Sequence, residues 1–234
     1  MNIVEEMSVA SRVPMPKVYI LDKEPGMNAF AAGHDPKDAA VAVTRGLLDK
    51  LNREELQAVV AHEFSHILNG DMRLNIRLIG ILFGIFALTL VGTMLFHGAR
   101  IMALTSGGRS RGKNNNGMAI VLALFALGAL CMIVGYIGFF FGRLMQSYIS
   151  RQREYLADAS AVQFTRDSAG LADALKMIGA EGSALQNPKA MEVSHMLLAS
   201  GLQSAFATHP PLVDRIRRWD PSLDGDFTKL MKRK

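Results

Sequence analysis

The stretch that decides the fold is NREELQAVVAHEFSHILNG, residues 52–70. Asn52 is a good helix N-cap, and Glu55 stands where a capping box needs its second member. Gly70 can end the helix in a left-handed conformation. These signals predict a helix from about residue 53 to residue 69.

Within this helix lies the sequence His62-Glu63-Phe64-Ser65-His66. Two histidines four residues apart share one helix face, and a carboxylate follows the first of them. This is a zinc-binding pattern with a candidate base for activating water. A catalytic zinc takes three protein ligands, so the third ligand must come from elsewhere in the chain.

Two apolar stretches follow the helix. Residues 78–96 (LIGILFGIFALTLVGTMLF) and 118–142 (MAIVLALFALGALCMIVGYIGFFFG) contain no Asp, Glu, Lys, Arg or His. As helices they reach roughly 28 and 37 Å, against a hydrocarbon core of about 30 Å. Both stretches therefore predict membrane-spanning helices. The alternative is a buried hairpin, but a chain of 234 residues is too small to enclose two uncharged helices on every face.

Composition narrows the classes of partner. Half of the residues are hydrophobic, and the net charge of +5 suits an anionic membrane surface. No basic motif interleaved with aromatic residues indicates nucleic acid, so the one partner that composition itself predicts is the lipid bilayer. The lone Cys131 lies in the second apolar stretch, which excludes an intrachain disulfide and disfavours thiolate ligation of zinc.

The expected location is the cell (inner) membrane, as a multi-pass protein with its catalytic part on the cytoplasmic side. Loop charges do not decide the orientation, since basic residues flank both ends of the hairpin. The N-terminal ten residues contain two glutamates and no apolar core of a cleavable signal, which favours a cytoplasmic N-terminus.

The apolar hairpin predicts three parts: residues 1–77, 78–142 and 143–234. The first part reads as a small α+β unit, with a helix and three short strands at 3–10, 18–21, 28–32 and 39–44 and a helical turn at 47–51. The last part reads as helical. Its helices are expected at 143–164, 171–178, 188–199 and 212–219, and a polar loop is expected at 106–117.

The best candidate for the third ligand is Glu154. Two membrane spans return the chain to the side on which His62 lies, so Glu154 can reach the histidines. Asp158 is four residues further along and shares its helix face, where it can accept the free ring N–H of a ligating histidine. The alternative is an acidic pair that exchanges salt bridges with Arg151 and Arg153.

Taken in order, His62–His66, Glu154-x-x-x-Asp158 and Thr208-His209-Pro210-Pro211 resemble the HtpX-type heat-shock proteases. These belong with the CaaX prenyl proteases among the gluzincin membrane metallopeptidases. The segments Asn28-Ala29-Phe30-Ala31-Ala32-Gly33 and Asn69-Gly70-Asp71 also match, and the likeness covers nearly the whole chain. HtpX-type proteins usually carry transmembrane helices before this region, whereas this chain begins after them.

The resemblance implies a fold and a set of roles. The fold is α+β and mainly helical: a zincin-like domain with a small edge-strand sheet, and a transmembrane hairpin inserted between the two zinc-ligand helices. One Zn²⁺ is held by His62, His66 and Glu154, and Glu63 is the general base. The other implied roles are ligand orientation for Asp158, contact with the tetrahedral intermediate for His209, proximity to the site for Arg215, and substrate binding along an edge strand for Asn28, Ala29, Phe30 and Ala31.

Asp71 has two interpretations that the sequence leaves open. It can support His66 from behind, or it can be a helix-cap acid paired with Arg73.

The function that the resemblance implies is that of an integral-membrane zinc metalloendopeptidase that cleaves misfolded or damaged proteins, membrane proteins among them, in stress-related quality control. The expected partners besides the lipid bilayer are therefore polypeptide substrates, unfolded or membrane proteins. The alternative functions are a CaaX-type processing peptidase with one dedicated substrate and a non-catalytic membrane scaffold. A zinc transporter would need ionisable residues within the spans, and the two stretches have none of the usual metal or proton carriers.

Overall fold

The computed structural model describes residues 2–106, 116–181 and 209–223. Its elements are mostly helices, with three short strands near the N-terminus. In chain order they are α1 (Asn2–Ser11), β1 (Lys17–Leu21), β2 (Ala29–Ala32), β3 (Ala40–Thr44), α2 (Arg45–Lys50), α3 (Arg53–Asn69), α4 (Asp71–Ser106), α5 (Asn116–Thr165), α6 (Ser168–Glu181) and α7 (Leu212–Arg217). The mainly helical α+β prediction is confirmed. The predicted helix at 188–199 and most of the polar loop at 106–117 lie outside the described residues.

By its contacts the chain forms two units. One contains Met1–Asn75 and Ser147–Lys234, and the other contains Ile76–Gln146. The first unit holds the sheet and every candidate site residue, and the second holds the apolar parts of α4 and α5.

The α3 helix begins and ends as its sequence predicts. The Asn52 side chain accepts a hydrogen bond from Glu55 N at 2.8 Å, and the Glu55 carboxylate accepts one from Asn52 N at 2.9 Å. At the other end Gly70 adopts φ 67° and ψ 31°, a left-handed conformation that costs glycine little. The capping box and this glycine fix the length of α3, and therefore where the histidines stand along it.

One face of α3 forms the centre of the core of the first unit. The predicted stripe contains Val60, Phe64 and Ile67, all buried, with Leu56 packed at its edge. Helix α1, strand β2 and helix α6 pack on α3. The apolar face is thereby covered, and α3 is held as a rigid support for its polar residues.

The sheet has the strand order β1-β3-β2. Strand β1 pairs in parallel with β3, and β2 pairs antiparallel with β3, with Ala29 opposite Val43 and Ala31 opposite Val41. The β2 strand therefore lies at one edge of the sheet, as the resemblance implies. Thr44 ends β3 and caps α2 by accepting a hydrogen bond from Leu47 N at 3.3 Å.

The second unit is an apolar pair of helices. The stretches Asp71–Thr105 and Gly117–Thr165 are long and apolar enough to cross a membrane, and no more than 17% and 11% of their most apolar windows are buried. A helix in the core of a soluble protein would bury most of such a window. The exposure therefore favours membrane spans over the buried-hairpin alternative.

Glycines let these two helices approach closely. A Cβ added to Gly135 would lie 2.2 Å from Thr89 Oγ1 and 2.8 Å from Thr89 N, and one added to Gly128 would lie 2.9 Å from the Gly92 carbonyl oxygen. Backbone atoms cannot move aside as a flexible side chain can. The absence of side chains at these positions allows the helices to pack backbone against backbone, as small residues do in membrane helix pairs.

Gly135→Ala is expected to destabilise the helix pair by about 1–3 kcal/mol, because the added methyl overlaps the Thr89 backbone. Gly84→Ala is the matched control, since no atom lies within 4 Å of its added Cβ. In that open position alanine is expected to stabilise the helix slightly. The thermal midpoints of both variants in one detergent test this. Equal midpoints would contradict close packing at Gly135.

Candidate metal centre

The two histidines of α3 face each other at the end of the helix. His62 Nε2 and His66 Nε2 are 3.1 Å apart, and the ring planes are nearly perpendicular at 88°. His62 is buried and His66 is half-buried. The four-residue spacing on a capped and packed helix produces this arrangement.

Glu154, on α5, completes a cluster of three. Its Oε2 lies 3.6 Å from His62 Nε2, and its Oε1 lies 3.7 Å from His66 Nε2. Among the described residues, His62, His66 and Glu154 are the group that could hold a metal ion, with ligand atoms all within 4.8 Å of one another. The structure thus brings together the three residues that the sequence analysis put forward as ligands.

Each histidine has a carboxylate on its other nitrogen. Asp158 Oδ1 lies 3.0 Å from His62 Nδ1, and Asp71 Oδ2 lies 2.7 Å from His66 Nδ1. The first contact is close, although its angle departs from that of a good hydrogen bond. A carboxylate beside Nδ1 assigns the proton to that nitrogen. The Nε2 lone pairs then point towards each other.

These facing lone pairs fit a metal cation. Two ligand atoms at the usual zinc distance of 2.0–2.1 Å would be about 3.3 Å apart in a tetrahedron. The two Nε2 atoms are 3.1 Å apart, and each lies 3.6 or 3.7 Å from a different oxygen of Glu154, which is close to that value. Two imidazoles and one carboxylate are also a known donor set for catalytic zinc. The residues therefore fit Zn²⁺.

A buried arginine balances the carboxylates. Arg215, from α7, is fully buried, and its Nε and one terminal nitrogen donate to the two oxygens of Asp158 at 2.8 and 2.6 Å. The other terminal nitrogen lies 3.1 Å from Glu154 Oε2. Burial opposes the charge of Arg215, but Asp158 and Glu154 outweigh it and raise its pKa above the ordinary value. The sequence predicted a place near the site; the structure gives Arg215 direct contact with two acids.

The field at His62 favours positive charge. Burial lowers the pKa of His62, but contacts with Asp158 and Glu154 overcome this and raise the pKa to about 9, against an opposing contribution from Arg215. Such an environment stabilises a cation at the ring, whether the cation is a proton or a metal ion. The electrostatics therefore agree with the geometry of the cluster.

His209 and Glu63 are the remaining polar groups of the site. His209 directly precedes Pro210, Pro211 and α7, and its Nδ1 lies 3.0 Å from Glu154 Oε1. Glu63 follows His62 on α3 and is 3% exposed. Within the described part of the chain, no hydrogen bond or ion pair engages its carboxylate. A carboxylate that is held by no partner can exchange a proton with a reacting molecule.

The predicted substrate residues lie on β2 and immediately before it. Asn28, Ala29 and Ala31 have buried side chains, and Phe30 is half-buried. Asn28 N donates to Thr44 Oγ1 at 2.9 Å, and Thr44 N donates to the Asn28 carbonyl at 3.0 Å. Because backbone groups alternate in direction along a strand, Asn28 and Phe30 face β3, and the backbone of Ala29 and Ala31 faces away from β3. The strand packs along α3, although none of its residues belongs to the metal-capable cluster.

The two interpretations of Asp71 are separated by its contacts. Asp71 lies beside His66, whereas Arg73 pairs with Asp35. The sequence offered Arg153 only as a salt-bridge partner of the Glu154 and Asp158 pair, yet its guanidinium lies beside Asp71. The one signal in the sequence is that Arg153 directly precedes Glu154, and this does not reveal which acid it meets.

Comparison with known proteins identifies the family. The model of peptidase family M48 matches residues 1–221. Protease HtpX homolog from Streptococcus uberis is 40% identical over 224 residues, which cover 93% of this chain and 71% of that protein. Protease HtpX homolog from Caldanaerobacter subterraneus is 42% identical over 220 residues, covering 93% of this chain and 69% of the relative.

A solved structure shows the same fold. The crystal structure of S. mikatae Ste24p superimposes with a TM-score of 0.54 at 20% sequence identity. The match covers 94% of this chain and 50% of Ste24p, so this chain spans half the length of that protein. At this level of identity the likeness concerns the fold alone. Together with the family match and the relatives, it leads to one conclusion: this chain is an HtpX-type member of peptidase family M48.

Proposed function

We propose that this protein is a zinc-dependent membrane endopeptidase that cleaves misfolded or damaged proteins, membrane proteins among them, in stress-related quality control. The observation that carries the proposal is the convergence of His62 Nε2, His66 Nε2 and the Glu154 carboxylate, with an aspartate behind each ring. The relatives named Protease HtpX homolog support proteolysis.

His62, His66 and Glu154 would hold the metal, and Asp158 and Asp71 would fix the orientation of the two rings. Zinc bound there would polarise the scissile carbonyl and make water acidic enough to lose a proton near neutral pH. The proton transfers and the hydrogen bond to the carbonyl oxygen are assigned to side chains of the protein itself.

Glu63 is the proposed general base. As the water oxygen bonds to the carbonyl carbon, the Glu63 carboxylate accepts a proton from that water. As the C–N bond breaks, Glu63 returns the proton to the leaving nitrogen. Its burial and its lack of a hydrogen bond or close ion pair among the described residues suit this role, since no such contact has to break before the proton moves.

His209 is the proposed donor to the carbonyl oxygen as negative charge develops there. Such a donor is typically worth about 10²–10³ in rate. Its Nδ1 is next to Glu154, and its Nε2 makes no hydrogen bond within the described part of the chain. The Nε2 atom is buried and has no such bond to give up when a substrate carbonyl reaches it.

The edge of β2 that faces away from β3 is the proposed path of the substrate. An extended peptide would pair with the backbone of Ala29 and Ala31, since these groups face away from β3. Backbone pairing gives affinity with little side-chain preference, and it requires an unfolded segment. This suits a protease of damaged proteins better than a processing enzyme with one substrate.

A location in the cell membrane is part of the proposal, and it rests on α4 and α5. The cytoplasmic placement of the catalytic part stays a prediction.

The central test separates the base from the ligands. Glu63→Gln is expected to lower cleavage of unfolded casein by at least about 10³-fold while zinc remains at one per chain, because the amide cannot accept the proton. Glu154→Gln is expected to lose zinc as well as activity, because a ligand is weakened. Zinc content and initial rates are measured on the same detergent-solubilised samples. Undiminished cleavage by Glu63→Gln would refute the mechanism.

A second test concerns Arg215. Arg215→Met is expected to destabilise the protein by about 3–5 kcal/mol, because two buried carboxylates lose their counter-charge. Adding Asp158→Asn to this variant is expected to restore part of the loss. Denaturant unfolding of the three proteins tests this. An unchanged midpoint in Arg215→Met would show that the ion pairs contribute nothing to stability.

A third test concerns the edge strand. Ala31→Pro removes a backbone N–H at the edge of β2 that faces away from β3. This change is expected to raise KM for casein about tenfold, with kcat and zinc content nearly unchanged. Ala31→Val is the control, because it adds bulk but keeps the N–H. A rise in KM of the same size in both variants would point to crowding instead of lost pairing.

A further inference from the structure

Arg153 links three elements of the first unit at one point. Its guanidinium is 2.5 Å from Asp71 Oδ1, at the start of α4, and it donates to the Asn69 carbonyl, at the end of α3, at 2.8 Å. The same terminal nitrogen makes both contacts. Asp71 and Arg153 are 14% and 28% exposed, so water competes little for either group.

The other oxygen of Asp71 lies 2.7 Å from His66 Nδ1. Arg153, Asp71 and His66 therefore form a continuous chain of charged and hydrogen-bonded groups. This series of contacts begins at Arg153, one residue before Glu154 on α5, and ends at His66 on α3. A single turn of α5 thus supplies one member of the cluster and supports another from behind.

We infer that Arg153 is a positioning residue of the metal centre: it fixes the Asp71 carboxylate against His66 and ties the end of α3 to α5. The inference rests on the proposed zinc site. Without the guanidinium, Asp71 could rotate away from the ring, and His66 would lose the contact that sets its orientation.

Two observations support Arg153 as the cation that holds Asp71. Arg73 is only two residues from Asp71, but it pairs with Asp35. The Asn69 carbonyl is one of the last of α3, where the negative end of the helix dipole favours a cation. Arg153 thereby pairs with the Asp71 carboxylate and, at the same time, donates a hydrogen bond to a carbonyl at the C-terminal end of α3.

The test measures metal binding, not turnover. Apparent zinc dissociation constants are determined by chelator competition on the full chain in detergent, for wild type, Arg153→Ala, Arg153→Lys and Arg73→Ala. Arg153→Ala is expected to weaken zinc binding about 10–100-fold, the usual cost of losing support behind a ligand. Arg153→Lys, which keeps the charge, is expected to fall between wild type and Arg153→Ala. Arg73→Ala removes a nearby charge and is expected to bind like wild type.

A double-mutant cycle shows whether Arg153 acts through Asp71. In an Asp71→Asn background, Arg153→Ala is expected to cost little further affinity, because the carboxylate that it positions is already gone. Cobalt(II) absorption of the loaded variants reports the ligand field, and it is expected to change in Arg153→Ala but not in Arg73→Ala. Thermal midpoints of the zinc-free proteins show whether each variant folds; if Arg153→Ala does not, Arg153→Lys and Asp71→Asn carry the comparison.

The possible results distinguish a failure of the proposed zinc site from a failure of the inference about Arg153. Wild type that binds no stoichiometric zinc would overturn the proposed function and the inference with it. Wild type that binds zinc, together with an unchanged dissociation constant in folded Arg153→Ala, would overturn the inference alone. An equal loss of affinity from Arg153→Ala in the wild-type and Asp71→Asn backgrounds would also overturn it.

Discussion

The contact between Arg215 and Asp158 is the constraint on which the rest of the centre depends. A carboxylate buried without a partner costs several kcal/mol, so Asp158 can stand behind His62 only if a cation is buried with it. The cation comes from α7, which must dock on α5 for the site to exist. Because Arg215 also contacts Glu154, the same docking step positions Glu154 and the carboxylate behind His62, two parts of the proposed metal site.

The local parts of this architecture are readable from the sequence, because local interactions determine them. The capping box at Asn52 and the glycine at position 70 bound α3 by contacts within a few residues. The spacing of His62 and His66 on a helix then fixes their common face. The strands β1 to β3 follow from short apolar runs between turns. The choice of Glu154 as partner needed more than spacing: it rested on the two predicted spans, which return the chain to the side of His62, and the family resemblance agreed with it.

What the sequence could not supply is the pairing of charges across long separations. The sequence left Asp71 with two interpretations, support of His66 or a cap acid paired with Arg73, and the structure places it beside His66 while Arg73 pairs with Asp35. The cation beside Asp71 is Arg153, whose contact with Asn69 joins residues 84 positions apart. Asp158 and Arg215 are 57 apart. Pairings of this kind depend on how packed helices meet, and periodicity along the chain carries no information about that.

The division of the centre between α3, α5 and α7 has a consequence for biosynthesis. A ribosome that adds roughly 5–20 residues per second needs on the order of ten seconds to proceed from the histidines to Arg215. Until Glu154 is added, 88 residues after His66, the nascent chain holds the two imidazoles without it, and until Arg215 is added, another 61 residues on, it holds Glu154 without its counter-ion. The order of the elements along the chain therefore makes completion of the candidate centre one of the last events of synthesis.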